Sequence, residues 1–459
     1  MERNDSIIHP TKYSIVWPMV AAIYLCPAVA GAGTLAATDT ATGTGALAHE
    51  NGGYENTADG YDALYSNTTS FYNTASGSFA LQSNTTGFGN TANGAYALNA
   101  NTTGHDNTAS GNFALYSNTG NYNTADGVNA LYTNTTGSYN TASGFNALSV
   151  NSSGGYNTAD GVFALGSNGT GGYNTAGGAH ALLANTTGSF NTAGGAKALA
   201  SNTSGGYNTA DGVYALTANT IGGYNTASGG NALSANKTGS NNVALGYQAL
   251  SGNVSGISNV AVGVNALAVM NGSSNIAIGI NAGKLTATGD GNIYIGHPGV
   301  NGSETNAIRI GQGPHRIFVA GIAATALSGA TVVVRPNGQL GVIASSARFK
   351  KDIKSLDNAA EKLAQLRPVS FRYKSEPEAS HYGLIAEEVD KVMPELVVRD
   401  EENRPYSVQY EELIPLLLQQ WKAQREVIAL QEAEIGELRR MLATRLAATD
   451  ASGGRKNAR

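Results

Sequence analysis

The chain has 459 residues, of which 59 are glycine and only 13% are charged, and its formal net charge is −5. This composition argues against an ordinary globular enzyme, in which roughly a quarter of the residues are charged. No basic cluster precedes Ser345, so we expect no nucleic-acid partner. Most charged residues lie after Ser345, which marks a domain boundary in itself.

The first predicted element is an apolar segment that runs from Ile15 to Ala30 and ends in Ala28-Val29-Ala30. Small residues at this spacing are typical of a signal-peptide cleavage site, and the segment is short for a membrane span. We therefore expect a signal peptide at residues 1–30, secretion or display at the cell surface, and no integral membrane domain after its removal. An uncleaved membrane anchor is the alternative. Cys26 lies in this segment, so the mature chain contains no cysteine.

A repeat of 17 residues occupies residues 31–312, with the consensus Tyr-Asn-Thr-Ala-x-Gly-x-x-Ala-Leu-x-x-Asn-Thr-Thr-Gly. Seventeen residues are too few for two helices and a turn, and recurring Gly and Thr disfavour helix. Each unit fits two short strands separated by turns at Gly and Asn, and such units stack into a solenoid. The first Asn of the repeat can form a side-chain amide ladder from coil to coil. Its positions are 56, 73, 90, 107, 123, 140, 157, 174, 191, 208, 225 and 242.

One coil buries little apolar area, so we expect lateral association of chains to bury the Ala and Leu side chains. The repeats resemble the left-handed β-roll heads of trimeric autotransporter adhesins, which carry Asn-x-x-Ala-x-Gly-x-x-Ala repeats of slightly shorter period. This resemblance implies a homotrimer and a surface-binding role, with a surface glycan or another host-surface ligand as partner. Nothing after residue 312 looks like the membrane-anchor barrel of that family.

An aromatic residue precedes the repeat Asn in many units and should line up along the shaft. Two interpretations stay open: an aromatic strip that binds glycans or surfaces, or a stacking ladder that stabilises the coils. The residues are Tyr72, Tyr122, Tyr139, Tyr156, Tyr173, Phe190, Tyr207 and Tyr224.

After a β-rich connector at residues 313–344, the sequence pattern changes at Ser345. Ordered phrases at 345–353, 366–374, 383–389, 394–397 and 408–413 resemble the intramolecular chaperone domain of phage endosialidases and tailspikes, peptidase family S-74. The resemblance implies that residues 345–448 form a self-cleaving α+β chaperone domain that acts only on its own chain.

In that family the chain is cut before a serine that lies five residues ahead of a lysine, which here are Ser345 and Lys350. The scissile bond would join Ala344 to Ser345. Ser346, where the family often has Asp, is the fallback nucleophile. A serine hydroxyl needs a base, and a lysine can serve if burial lowers its pKa. A solvated basic loop is the alternative, since Lys351 and other lysines lie nearby.

The last predicted element is a long helix over about 410–446, with apolar residues recurring every seven positions. This spacing is typical of a coiled-coil core, and the alternative is a helix packed on its own domain. The core residues would be Ile414, Trp421, Ile428, Ile435 and Leu442. We expect a disordered tail at 449–459.

The fold class expected is therefore mainly β: a trimeric left-handed β-roll of 17-residue repeats, then a small α+β chaperone domain that ends in a coiled-coil helix. The favoured function is an exported, adhesin-like trimeric fibre whose chaperone domain drives assembly and is released by autocleavage. The alternative is a prophage tail-fibre or tailspike-like protein that binds or degrades polysaccharide. We expect no cofactor and no metal.

Overall fold

The computed structural model describes residues 36–312, 332–334, 339–342, 345–356, 359–400 and 402–453. The expected signal peptide, most of the connector and Ala344 lie outside these residues. The chain divides after residue 317 into two compact units, which are described separately below. No helix in the described part of the chain is long and apolar enough to span a membrane.

The N-terminal unit is a β-solenoid whose coils contribute one strand each to a 17-stranded parallel sheet. Each strand pairs in register with its equivalent in the next coil, as in Thr158↔Thr175 and Ala159↔Ala176. The strands are Thr40–Thr42, Thr57–Asp59, Thr74–Ser76, Thr91–Asn93, Thr108–Ser110, Thr124–Asp126, Thr141–Ser143, Thr158–Asp160, Thr175–Ala176, Thr192–Ala193, Thr209–Asp211, Thr226–Ser228, Val243–Leu245, Val260–Val262, Ile276–Ile278, Ile293–Ile295 and Ile308–Ile310.

The expectation of two strands in every coil is wrong for most coils. A second, two-residue strand occurs at Ser117–Asn118, Thr133–Asn134 and Val150–Asn151, and a further pair joins Thr286–Thr288 to Gly302–Ser303. Elsewhere the rest of the coil is turn. Many coils hold non-glycine residues at positive φ, such as Phe79 at 62° and Leu81 at 51°. These residues turn the chain, so that most of each coil outside the main strand is turn rather than extended backbone.

The core of the solenoid is a double row of Ala and a row of Leu that are buried within a single chain. Ala159, Ala164 and Leu165, for example, have no exposed surface. The expectation that lateral association buries the Ala and Leu side chains is therefore wrong. Stacking of successive coils already removes them from water, because each coil covers the face of its neighbour.

Two asparagine ladders, rather than the one expected, run through the interior. In the first, Asn208 Nδ2 donates to Asn191 Oδ1 at 3.1 Å and to the Gly222 carbonyl at 2.9 Å. In the second, Asn202 Nδ2 donates to Asn185 Oδ1 and to the Gly205 carbonyl, each at 2.9 Å. The second ladder consists of the Asn of the Asn-Thr-Thr-Gly phrase. Since these side chains are fully buried, the Asn-x-Ser/Thr motifs that they begin cannot be glycosylated in the folded solenoid.

Glycine is required at the turn beside the second ladder. A Cβ atom on Gly205 would lie 2.3 Å from the Gly222 carbonyl oxygen and 2.5 Å from Asn202 Oδ1. The close approach of successive coils at this corner thus explains the recurring Gly of the repeat.

Both ladders begin on a carboxylate at the N-terminal end of the solenoid. Asp39 takes the first position of one ladder and accepts the Asn56 backbone N–H at 2.8 Å. Glu50 takes the first position of the other, accepts the Gly53 N–H at 2.6 Å and also accepts a bond from Asn67 Nδ2. Burial raises the pKa of Glu50, although its hydrogen bonds act in the opposite direction.

The aromatic residues before the repeat Asn form a continuous stack through seven coils. From Tyr122 to Tyr224 the ring centroids are 4.8 to 4.9 Å apart, with nearly parallel planes. Each interior ring has both faces covered by its neighbours and presents only its edge to solvent. The residues remain about half exposed, with Tyr156 at 51%, but their ring faces lie against each other, and this geometry matches the stacking interpretation.

In its described residues, the C-terminal unit contains three antiparallel hairpins and three α-helices. Its hairpins pair Val332–Val334 with Leu340–Val342, Val369–Tyr373 with Glu376–Gly383, and Val397–Arg399 with Pro405–Val408. Helices α1, α2 and α3 are Ala359–Leu363, Ala386–Val392 and Tyr410–Gly453, and 3-10 turns lie at Ala347–Phe349 and Pro394–Leu396. Helix α3 includes residues 449–453, the start of the segment expected to be disordered.

Candidate functional site

The C-terminal unit has a very small core for the number of elements that it holds. Among the described residues of this unit, five are buried on α2, the turn that follows it and the neighbouring hairpin: Val389, Met393, Leu396, Val397 and Val408. Leu413 and Leu416, on the first turns of α3, pack against this cluster and fix the start of the long helix. The core therefore anchors one end of α3 but supports little of its length.

Polar contacts hold the elements around this core. The Tyr410 hydroxyl at the start of α3 accepts the Leu384 backbone N–H at 2.9 Å and so ties α3 to the segment that leads into α2. Arg367 binds the Glu388 carboxylate through two nitrogens, and this contact lowers the pKa of Glu388. Arg399 on the hairpin pairs with Asp390 of α2. Sequence reasoning missed these positioning residues, because their partners are distant in sequence.

Ser345 and Lys350 lie on either side of the 3-10 turn Ala347–Phe349. The Phe349 N–H donates to the Ser346 carbonyl and the Lys350 N–H to the Ala347 carbonyl, each at 3.0 Å. Both proposed catalytic residues therefore flank one short turn.

The loop is open to solvent in the single chain. Ser345, Ser346 and Lys350 are all exposed, as is Lys351. Among the described residues no hydrogen bond joins the side chains of Ser345 and Lys350, and the Ser346 side chain makes no capping bond. One chain thus places the serine and the lysine on either side of one turn, but it does not supply the burial that a lysine base needs.

The predicted coiled-coil residues lie on one continuous helix, and their side chains are exposed. Trp421 is 56% exposed and Ile428 is 49% exposed, and Ile414, Ile435 and Leu442 are similarly open. Leu417 and Leu438 on the same helix are exposed as well. A helix packed on its own domain would cover these side chains, so the alternative raised from the sequence does not describe α3 beyond its first turns.

Residues 345–398 match the family Peptidase_S74, described as the chaperone of endosialidase. The match begins at Ser345 itself and ends within the hairpin strand Val397–Arg399. The chaperone-like segment therefore contains the Ser345 loop, α1, α2 and the buried core residues other than Val408, while α3 and the solenoid lie outside the matched residues. No curated protein and no solved structure matches the chain.

Other chemistry finds little support in the described residues. No group of His, Cys, Asp and Glu side chains in the described part of the chain could hold a metal ion. The Asp residues that recur on the solenoid, such as Asp59 and Asp160, lie at the exposed ends of separate strands. The protein thus joins a β-solenoid to a segment similar to the chaperone of endosialidase.

Proposed function

We propose that this protein is an exported, fibre-type protein whose C-terminal unit assembles three chains and is then released by cleavage between Ala344 and Ser345. The observation that carries the proposal is the exposed apolar row of α3, joined to a segment that matches a chaperone family. An unpartnered row of Trp, Ile and Leu at heptad spacing is stable in water only when other helices cover it. Three copies of α3 would satisfy that requirement, as the resemblance to a trimeric chaperone family implies.

The cleavage that we propose uses the two residues of the 3-10 loop. Lys350 accepts the proton of the Ser345 hydroxyl, whose oxygen attacks the carbonyl carbon of Ala344. The bond from that carbon to the Ser345 nitrogen breaks, the nitrogen takes the proton from Lys350, and an ester remains on the serine oxygen. Water then hydrolyses the ester and separates the shaft from the chaperone.

Assembly controls this reaction in our proposal. Lys350 is exposed in one chain and becomes an effective base only when neighbouring copies cover the loop and exclude water. Cleavage would therefore follow correct assembly and remove the chaperone only from completed fibres.

The test compares the full chain with Ser345→Ala, Ser346→Ala and Lys350→Ala on denaturing gels, with Lys351→Ala as the matched control. We expect the control and Ser346→Ala to be cut, the other two variants to stay intact, and the released fragment to begin at Ser345 by mass spectrometry. If Ser345→Ala is cut and Ser346→Ala is not, the nucleophile is Ser346. A full-length band from every protein would refute autocleavage.

A second comparison tests the link to assembly. Ile428→Asp/Ile435→Asp places charges in the apolar row of α3, whereas Arg439→Asp changes charge on the same helix outside that row. We expect the double variant to be monomeric by light scattering and uncleaved, and Arg439→Asp to behave like the wild type. Efficient cleavage in a monomeric double variant would show that assembly does not control the reaction.

Export separates the adhesin-like function from the tail-fibre alternative. A mature N-terminus close to residue 31 in the secreted or surface fraction supports the adhesin-like function. An intact N-terminus on protein that stays in the cytoplasm would favour a prophage tail-fibre or tailspike-like protein that acts on polysaccharide.

A further inference from the structure

The outer face of the solenoid sheet changes character near the C-terminal end of the solenoid. In every strand the first and third residues point outward and the middle residue points into the core. Upstream these outer residues are polar, as in Thr57–Asp59, Thr158–Asp160 and Thr209–Asp211. In the last five strands all of them are Val, Leu or Ile: Val243–Leu245, Val260–Val262, Ile276–Ile278, Ile293–Ile295 and Ile308–Ile310. We call the ten outer side chains of these five strands the apolar face.

The fold of the coil does not require this change. The sheet continues in register across the boundary, with Thr226 paired to Val243 and Ser228 paired to Leu245. Thr, Val and Ile all favour strands because they are β-branched, so the strand itself is served equally well by either set. Twelve upstream coils show that the same backbone forms with polar outer residues. The apolar side chains must therefore serve a contact outside the coil.

Six of the ten side chains of the apolar face are open to solvent. Ile308 is 68% exposed and Ile310 is 54% exposed, and Leu245, Ile276, Ile278 and Ile295 are also open to solvent. A contiguous strip of aliphatic side chains on a soluble sheet marks an interaction surface, and it would invite aggregation if it stayed uncovered.

We propose that the apolar face is covered by the same face of neighbouring copies of this chain, so that the shafts associate through these five coils and remain separate further upstream. This inference rests on the proposed trimeric assembly and names the part of the shaft that takes part in it. The distribution of charge on the sheet favours another copy of this chain as the partner. The ten outer positions carry no charge, so identical faces meet without repulsion, whereas copies that met upstream would bring Asp59, Asp126, Asp160 and Asp211 close to their own equivalents.

The spacing of the side chains also favours a second solenoid over a helix. Neighbouring strands lie about 4.8 Å apart, so each apolar row repeats at that distance. A second stack of strands has the same repeat and can stay in register along the whole face. A helix repeats every 5.4 Å or so and would lose register by about half a step over the four intervals between five strands.

The size of the face explains why a chaperone is needed. Four strand intervals give a length of about 19 Å, and two outer residues with their side chains give a width of about 10 Å. The resulting area, about 200 Å², is well below the roughly 800 Å² per partner of a stable interface. The apolar face alone cannot bring separate chains together, but it can hold shafts that α3 has already placed side by side, because their effective concentration is then high.

The test uses the full chain with Cys26→Ser, in which a single new cysteine reports contact between copies. Ile278→Cys lies on the apolar face, and Asp160→Cys is its matched control, since it holds the same strand position seven coils upstream. We expect oxidation or a short bifunctional maleimide to crosslink Ile278→Cys between chains and to leave Asp160→Cys uncrosslinked. Light scattering of both proteins establishes whether copies have assembled.

Each outcome has a distinct meaning. A monomer by light scattering with no crosslink at either position overturns the proposed assembly and, with it, this inference. An assembled protein in which Ile278→Cys does not crosslink overturns the inference alone. Equal crosslinking at both positions overturns the confinement to the last five coils.

A polar variant gives an independent measurement. Ile276→Thr/Ile278→Asp/Ile293→Thr/Ile295→Asp installs the upstream residues on two strands of the apolar face. We expect its β-type circular dichroism to remain, because the coil tolerates these residues, and the melting temperature of the assembled shaft to fall. An unchanged melting temperature in an assembled variant contradicts the inference.

Discussion

Asn202 lies in the middle of the second asparagine ladder, and its replacement tests whether the ladder stabilises the solenoid. Its Nδ2 donates to Asn185 Oδ1 and the Gly205 carbonyl, and its Oδ1 accepts from Asn219 Nδ2 at 2.8 Å. Asn202→Ala removes all three bonds. Gly205 keeps a donor in Asn191, so the groups left unpaired are Asn185 Oδ1 and one hydrogen of Asn219 Nδ2.

The expected cost follows from these two groups. A buried polar atom left without a partner costs about 1–3 kcal/mol, so the two unpaired groups in Asn202→Ala should destabilise the coil by about 2–6 kcal/mol. Asn202→Asp should cost more although it has nearly the same shape. The new carboxylate would be buried and would place an acceptor opposite the two acceptors of Asn185 and Gly205. Acid should partly restore this variant, because protonation returns a donor to the site.

Ser201→Ala is the matched control, since Ser201 is the exposed neighbour and its loss should change stability by less than about 0.5 kcal/mol. A long repeat array does not unfold in one step, so the assay is hydrogen exchange of the coils around residue 202, read by mass spectrometry. Equal protection in Asn202→Ala and Ser201→Ala, or a smaller effect from Asp than from Ala, would refute the role that we assign to the ladder.

Three further predictions concern other positions. Burial raises the pKa of Glu50 above its ordinary value of 4.5, so the stability of the first coils should fall as the pH rises from 4.5 through the folded-state pKa. Hydrogen exchange measured at several pH values should show this dependence in the wild type and not in Glu50→Gln. Gln248 has a φ of 56°, and the adjacent coils hold Asn231 and Asn265 at the same position. Since Asn adopts positive φ more readily than Gln or Ala, Gln248→Asn should stabilise its coil by up to about 1 kcal/mol, whereas Gln248→Ala should not. Equal hydrogen exchange in the two variants would contradict this reasoning. Tyr410→Phe removes the acceptor of the Leu384 N–H and should destabilise the C-terminal unit by about 1 kcal/mol, with faster exchange at Leu384, and an unchanged rate there would exclude the anchoring role of Tyr410.

The sequence predicts the stacking of the coils well because the repeat itself sets the register. A repeat Asn every 17 residues places Thr158 beside Thr175, which is the pairing that the sheet has. The lack of a second strand in most coils could not be predicted in the same way. Leu81 and Phe79 adopt positive φ values that bulky residues rarely take, and nothing in their residue type signals this. The second asparagine ladder could not be predicted either, since a recurring Asn-Thr-Thr-Gly is typical of an exposed turn.

The α+β character of the C-terminal unit was predicted from family phrases, and the structure shows both strands and helices there, such as Val369–Tyr373 and α2. The site was harder, because its chemistry depends on surroundings that one chain does not contain. Residue spacing places Ser345 and Lys350 near each other, but spacing alone does not state whether the lysine is buried.

The two units of the chain differ in what they need from other copies, and this difference bears on why a chaperone should be removable. The solenoid buries its Ala, Leu and Asn rows within one chain, so its coils do not depend on other copies for a core. Within the part that the structure describes, the C-terminal unit has a five-residue apolar core and leaves the apolar row of α3 in water. The apolar surface that assembly would cover thus lies mainly on α3, and a smaller part lies on the five apolar strands of the shaft. A shaft of this kind should keep its coils when the C-terminal unit is cut away, because no residue of its core comes from that unit.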